Sequence, residues 1–278
     1  MKGKTIVATG ATSGIGACAV EALAKQGARI VFVARDAGCA EATRAKLESL
    51  APGLGHRAHL GDLSLIADTK RIGAEIAASE PRVDVLVNNA GAMFSNRRVT
   101  AEGLEMTFAL NHMSYFVLTR LLVDRLKAAG SARIVSTSSM VHAGASLDFD
   151  DLQGEKLFSG WKAYQRSKLA NILFTRELAR RLAGTGVIGN CLHPGVVASR
   201  FGDEAGGWLT PGFSLLKRFA ISPEKAAETI VYLASSDEVS NVSGEYFIKR
   251  KIVKPSTQAR DDAAAAKLWS VSEALAGD

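Results

Sequence analysis

Tyr164 and Lys168 stand four residues apart in a segment, Lys162–Leu182, whose apolar spacing and length read as a helix. Residues at i and i+4 share a helix face, so the ammonium can approach the phenol. A free tyrosine titrates near ~10 and is a poor base at neutrality. A neighbouring cation is expected to favour the phenolate, letting Tyr164 give a proton to a carbonyl oxygen or take one from an alcohol. An isolated pair of this kind reads first as an exposed helix pair, so other residues must reverse that reading. A second polar group would have to hold the oxygen as charge develops on it. The strand-like run Arg133–Ser136 leads into Thr137-Ser138-Ser139, where a slip of one residue changes which serine faces the site. Asn111 is a further candidate: an amide amid Phe108, Leu110, Met113 and Phe116, in a helix read as Leu104–Leu126. It is either functional or a satisfied amide at a helix interface.

Chemistry at a carbonyl also needs a place for a redox partner. Thr9-Gly10-Ala11-Thr12-Ser13-Gly14-Ile15-Gly16 lies between a strand and an Ala-rich helix. Gly10 suits a tight turn, and Gly14 and Gly16 allow close backbone approach. The helix start then aims free N–H groups and its positive dipole end at a pyrophosphate. A dinucleotide is the implied cofactor, with Gly10, Thr12, Ser13, Gly14, Ile15 and Gly16 as its phosphate cradle. Charge argues which one. A site for NAD(H) wants a carboxylate at the end of the second strand, and Ala34 there has none. Arg35 follows, able to pair bidentately with a 2′-phosphate and to stack on adenine, which favours NADP(H). The alternative is a solvated Arg35, with Asp36 taking the ribose.

The spacing T-G-x-x-x-G-x-G resembles that of the short-chain dehydrogenase/reductase family. Asp62-Leu63, Asn88-Asn89-Ala90-Gly91, Asn111, Tyr164 with Lys168, and His193-Pro194-Gly195 match its motifs in order. The run Tyr164–Asn171 is similar to the retinol-dehydrogenase-related branch. The resemblance implies a catalytic set of Asn111, Ser139, Tyr164 and Lys168. Asn111 would sit at a kink that holds a water linking Lys168 to solvent, and Lys168 would also hold the nicotinamide ribose. The resemblance further implies Asp62 and Leu63 at the adenine, Asn89 with Ala90 and Gly91 at the adjoining ribose, and Pro194, Gly195, Val197 and Ser199 near the nicotinamide. It implies a homodimer or homotetramer built on the helices bearing Asn111 and Tyr164. Two departures stand out. The N-terminus carries no apolar anchor of the kind that membrane-bound retinol dehydrogenases have, and the chain beyond Ile248 matches no family motif.

The elements that must position these groups alternate along the chain. Strands are expected at Thr5–Thr9, Arg29–Ala34, His56–Leu60, Val83–Val87, Ala132–Ser136, Val187–Leu192 and Glu245–Ile248, separated by helical lengths. Such runs predict an α/β fold: one doubly wound (Rossmann) parallel sheet of about seven strands with helices on both faces. Residues 1–278 then form a single domain. Residues 249–278 are a C-terminal tail without the alternation, and Ala263–Ala266 begins a plausible terminal helix. Substrate would be met at the carboxyl edge of the sheet by Met93, Phe94, Met140–His142, Trp161 and a glycine-and-aromatic lid over 201–219, with Arg200 and Lys217 as anchors.

Composition bounds the rest. With 47% hydrophobic and 22% charged residues the chain is neither disordered nor collagen-like. Cys18, Cys39 and Cys191 lie far apart, which suits a reduced, cytoplasmic compartment. No run approaches the ~18 apolar residues of a membrane span, and no leader is expected. The net charge is +6, and its densest cluster, Lys249-Arg250-Lys251 with Lys254, reads as a solvated tail rather than a nucleic-acid surface. No metal is expected from the five histidines. The expected partner is therefore a small, largely apolar carbonyl or alcohol. The competing reading is a non-catalytic NADP(H)-binding sensor on the same fold.

Overall fold

The near-continuous apolar runs become strands buried on both sides, as parallel strands covered by helices must be. In a computed structural model describing residues 1–195 and 221–277, the chain runs β1 (Thr5–Thr9), α1 (Gly14–Lys25), β2 (Arg29–Ala34), α2 (Ala37–Leu50), β3 (Arg57–Leu60), α3 (Ile66–Ser79) and β4 (Val85–Asn88). It continues through α4 (Met106–Phe108), α5 (Ser114–Lys127), β5 (Ala132–Thr137), α6 (Gly160–Arg181), β6 (Val187–His193), α7 (Pro223–Ser235), β7 (Tyr246–Ile248), β8 (Lys251–Ile252) and α8 (Asp262–Ala276). The sheet order is β3-β2-β1-β4-β5-β6-β7-β8, parallel throughout except for β8.

Side-chain alternation feeds two cores. In β2, Ile30 and Phe32 pack with Leu23 of α1 and Ile230 and Leu233 of α7. Val31 and Val33 face the opposite layer, with Ile72 of α3, Phe116 and Leu122 of α5 and Leu173 of α6. The order reverses between β1 and β4. The glycine turn after β1 and the loop after β4 therefore open a crevice at the carboxyl edge, where such folds place their ligands.

Three features sharpen the expectations: the kink implied at Asn111 and the terminal helix begun at Ala263–Ala266 take definite form, and the sheet is longer than expected. The helix anticipated over Leu104–Leu126 is interrupted: a π-helical turn, Ala109–Met113, separates α4 from α5. The sheet gains an eighth strand, because the chain reverses through Lys249 and Arg250, at φ +49° and +65°, into antiparallel β8. The tail also folds. Asp261 caps α8 by accepting from Ala264 N, and α8 docks on α6. Trp269 stacks on Phe174 at 5.9 Å, meets Phe116 edge-on at 5.0 Å, and lies 4.4 Å beneath the Arg181 guanidinium. Helix α8 thus covers part of α6, one of the two helices through which the resemblance implies association. Among the described residues no helix is long and apolar enough to cross a membrane.

Candidate active site

Thr9 ends β1 by tying the first two loops together: its hydroxyl accepts from Asn89 N at 3.0 Å and Ala90 N at 3.1 Å. The Asn89 amide donates to Gly10 O at 3.3 Å and accepts from the Thr137 hydroxyl at 3.1 Å, so it braces the ends of β1, β4 and β5. This tight junction explains two glycines. A Cβ on Gly10, which sits at φ +66°, would lie 2.9 Å from Ala90 Cα, and one on Gly16 would lie 2.0 Å from Gly10 O. Ser13 makes no side-chain cap to α1, and no carboxylate stands in that helix's first turn. Thr12 and Ile15 flank this helix start, which meets an anion with amide donors and dipole alone. The cradle fits a dinucleotide pyrophosphate.

Along the same edge, Asp62 accepts from Ser64 N at 2.9 Å and from the Ser64 hydroxyl at 2.8 Å, and Leu63 is buried beside it. Arg35 is exposed immediately beyond β2 and forms no ion pair among the described residues. Asp36 has other work. Its carboxylate caps α2 by accepting from Cys39 N at 2.7 Å, which holds its pKa below the ordinary range.

The reacting groups converge beneath the loop after β4. The π-helical turn carries Asn111, whose Oδ1 accepts from Ala92 N at 2.9 Å. Its Nδ2 donates to Ala92 O at 2.9 Å and to the Ser167 hydroxyl at 3.0 Å. Gly91 is wedged above: a Cβ there would fall 3.0 Å from Asn111 Oδ1 and 3.5 Å from Lys168 Nζ. Lys168 is buried and donates to Thr137 O at 3.2 Å, with its ammonium 5.5 Å from the centre of the Tyr164 ring. Ser139 and Tyr164 are joined by a side-chain hydrogen bond. Ser138 is directed elsewhere, donating to Lys168 O at 2.7 Å. Pro194 and Gly195 follow β6 at the same edge, with Gly195 at φ +107°. Val197 and Ser199 lie outside the described residues, as do Arg200, Lys217 and the stretch 201–219.

Burial pushes the Tyr164 pKa well up, opposed only by its bond to Ser139, whereas the lowering was expected from the Lys168 ammonium and an oxidised nicotinamide acting together. Burial equally pushes Lys168 down, to about 7. Both groups lie under protein, and loss of water costs each its charged form more than their mutual attraction returns. Tyr164 therefore holds its proton firmly in the protein alone.

Two residues carry roles that spacing did not suggest. Tyr115 of α5 is wholly buried and donates to Ala90 O at 2.9 Å, and burial pushes its pKa up. It is a prop for the loop after β4, disguised by its place among apolar core positions. His142 sits in the 3₁₀ turn Met140–Gly144 after Ser139, with its ring nitrogen 2.7 Å from Ser139 O. Of the substrate-facing candidates, Met140 and Trp161 are partly exposed while Met93 and Phe94 are buried. Among the described residues no cluster of three or more His, Cys, Asp or Glu could hold a metal.

Residues 4–209 match the family model described as short chain dehydrogenase. The human protein named retinol dehydrogenase 13 is 41% identical over 286 residues, spanning 99% of this chain and 85% of its own length. Human retinol dehydrogenase 14 is also 41% identical, over 293 residues, spanning 100% of this chain and 87% of its own. Among solved structures, an uncharacterised protein from Mycobacterium paratuberculosis superposes with a TM-score of 0.80 at 31% identity, covering 99% of this chain and 94% of that one. A protein from Beutenbergia cavernae, described as an NAD(P)-dependent gluconate 5-dehydrogenase with bound NADP, superposes with a TM-score of 0.70 at 30% identity, covering 90% and 96%.

Proposed function

From the premise that the chain belongs to the short-chain dehydrogenase family, as an oxidoreductase acting on CH–OH or C=O groups, we propose that it is an NADP(H)-dependent reductase or dehydrogenase of a largely apolar carbonyl or alcohol. The observation that carries this is the convergence of Asn111, Ser139, Tyr164 and Lys168 beside the uncapped start of α1. A sensor that only bound the dinucleotide would have no use for a buried lysine and a buried phenol against a serine hydroxyl.

A dinucleotide held by the glycine turn Gly10–Gly16 would supply or accept the hydride. Ser139 and Tyr164 present two hydroxyls to the substrate oxygen, and in reduction Tyr164 passes its proton to that oxygen as the carbon becomes an alcohol. Burial favours the protonated phenol, the form that reduction calls for. Lys168, which donates to Thr137 O and lies beside the Gly91 loop that Asn111 holds through Ala92, is placed to restore the proton. In oxidation the same phenol must first lose its proton, so that direction gains from higher pH.

For the cofactor, Arg35 supports NADP(H): it is exposed at the ribose end, while Asp36 is engaged as a helix cap. For the substrate, the two human relatives are named as retinol dehydrogenases. Partly exposed Met140, Leu157 and Trp161 near the Ser139 and Tyr164 segments offer apolar surface for an isoprenoid or aromatic body. The decisive experiment follows NADPH absorbance across a panel of carbonyls and, with NADP⁺, alcohols including retinol. Tyr164→Phe should lower turnover by about 10³-fold or more while NADPH binding persists. A Tyr164→Phe protein as active as the parent would refute the assignment.

A further inference from the structure

We infer that His142 is a positioning residue for Ser139, coupling the catalytic hydroxyl to the C-terminal segment. The inference rests on the reading of Ser139 and Tyr164 given above and adds what holds Ser139 in place.

The ring is fixed on both sides. Ser256 N donates to His142 Nε2 at 3.2 Å, so Nε2 must carry its lone pair. The proton then resides on Nδ1, which donates to Ser139 O at 2.7 Å. The His142 backbone N–H donates to the same carbonyl at 3.2 Å, so Ser139 O receives both a main-chain and a side-chain bond from one residue. With that carbonyl clamped, Ser139 is held extended, at φ −159° and ψ 155°; its hydroxyl accepts from Val141 N at 3.4 Å and meets the Tyr164 side chain, while that of Ser138 goes to the Lys168 carbonyl. The turn is braced from α6 as well, where Gln165 Nε2 donates to Val141 O at 3.2 Å.

Burial holds the His142 ring neutral, and of its surroundings the Ser139 carbonyl alone pulls the other way. The Tyr246 ring of β7 lies edge-on at 5.1 Å, and burial pushes its phenol above the ordinary range. His193 at the end of β6 is itself pushed down to about 4 by burial and by His142. His142 is buried, and its own pKa is lowered for that reason. A protonated ring would set a second N–H against Ser256 N–H and break the bridge.

Three substitutions separate the two halves of the bridge. His142→Asn keeps a donor where Nδ1 stood but offers nothing to Ser256. His142→Gln keeps an acceptor near Nε2 but loses the donor to Ser139. His142→Phe loses both and fills the space. With the substrate found by the carbonyl panel, kcat of the Phe and Gln variants should fall on the order of 10- to 100-fold, with KM for NADPH unchanged. The Asn variant should recover most of that loss. Amide exchange at Ser256 should quicken in the Phe and Asn variants and stay slow in Gln. Parental kcat in His142→Phe, or equal losses in Asn and Gln at equal melting temperatures, would overturn the inference. Tyr164→Phe run in parallel distinguishes the failures. If it is dead while His142→Phe is fully active, the catalytic reading stands and the positioning role falls; if it is active, the catalytic reading itself has failed.

Discussion

Arg35 and Asp36 show how two adjacent residues of opposite charge are sorted by hydrogen bonding. The carboxylate is spent on the first turn of α2, leaving the guanidinium as the free charge at the end of β2. Arg35→Ala is therefore expected to weaken NADPH binding by about 10- to 100-fold and NADH binding hardly at all, as measured by fluorescence titration of each. Equal losses would show that the 2′-phosphate is not what Arg35 meets. The sequence favoured the guanidinium and left Asp36 as the alternative, because a cap is recognised by the amide it receives and not by residue type. Ser138 and Ser139 pose the same problem. Spacing leaves them one slip apart, and only the Ser138 bond to Lys168 O shows which hydroxyl is turned away. Tyr115 and His142 were obscure for another reason: a buried phenol and a buried imidazole look like core until their partners are known.

At the scale of elements, the strands were legible because each is a short apolar run between helices, and their observed ends fall within two residues of those expected. The π-helical turn was not legible in the apolar spacing, and only the resemblance implied a kink at Asn111. Hydrophobic period reads through Leu104–Leu126 without a break, since one extra residue in one turn hardly disturbs a pattern averaged over twenty. That single insertion is what brings Asn111 against Ala92 and Ser167. β8 was also hidden, being two residues long and entered by Lys249 and Arg250 where glycine or asparagine would have signalled a turn. Helix α8 depends on one large side chain. Trp269→Ala removes the stacking on Phe174 and the edge contact with Phe116, and should cost about 3–5 kcal/mol. Urea unfolding would show a lower midpoint at an unchanged slope; a midpoint equal to the parent's would mean that α8 contributes little.

For the whole molecule, the site is bought against stability. Lys168 titrates near 10.5 in an unfolded chain and at about 7 in the folded one. Between these values the unfolded state binds a proton that the folded state does not, so stability rises with pH across that window. Below about pH 7 the folded protein carries the ammonium at full cost. Lys168→Met should thus abolish turnover yet stabilise the fold, on the order of 1–4 kcal/mol near pH 6, with the gain shrinking toward pH 10. Chemical denaturation at the two pH values tests the sign. A variant less stable at the acid end would show that the hydrogen bond to Thr137 O outweighs desolvation.

Strand β8 also changes how the molecule meets its neighbours in a crowded solution. A parallel sheet left open at β7 would offer bare amides and carbonyls for another chain to zip onto. Instead the border is closed by a two-residue strand running the wrong way, with Lys249, Arg250, Lys251 and Lys254 crowded around it. Two such borders repel before their backbones can touch. The basic cluster that looked like a surplus of charge in the sequence is then a guard against fibrous self-association.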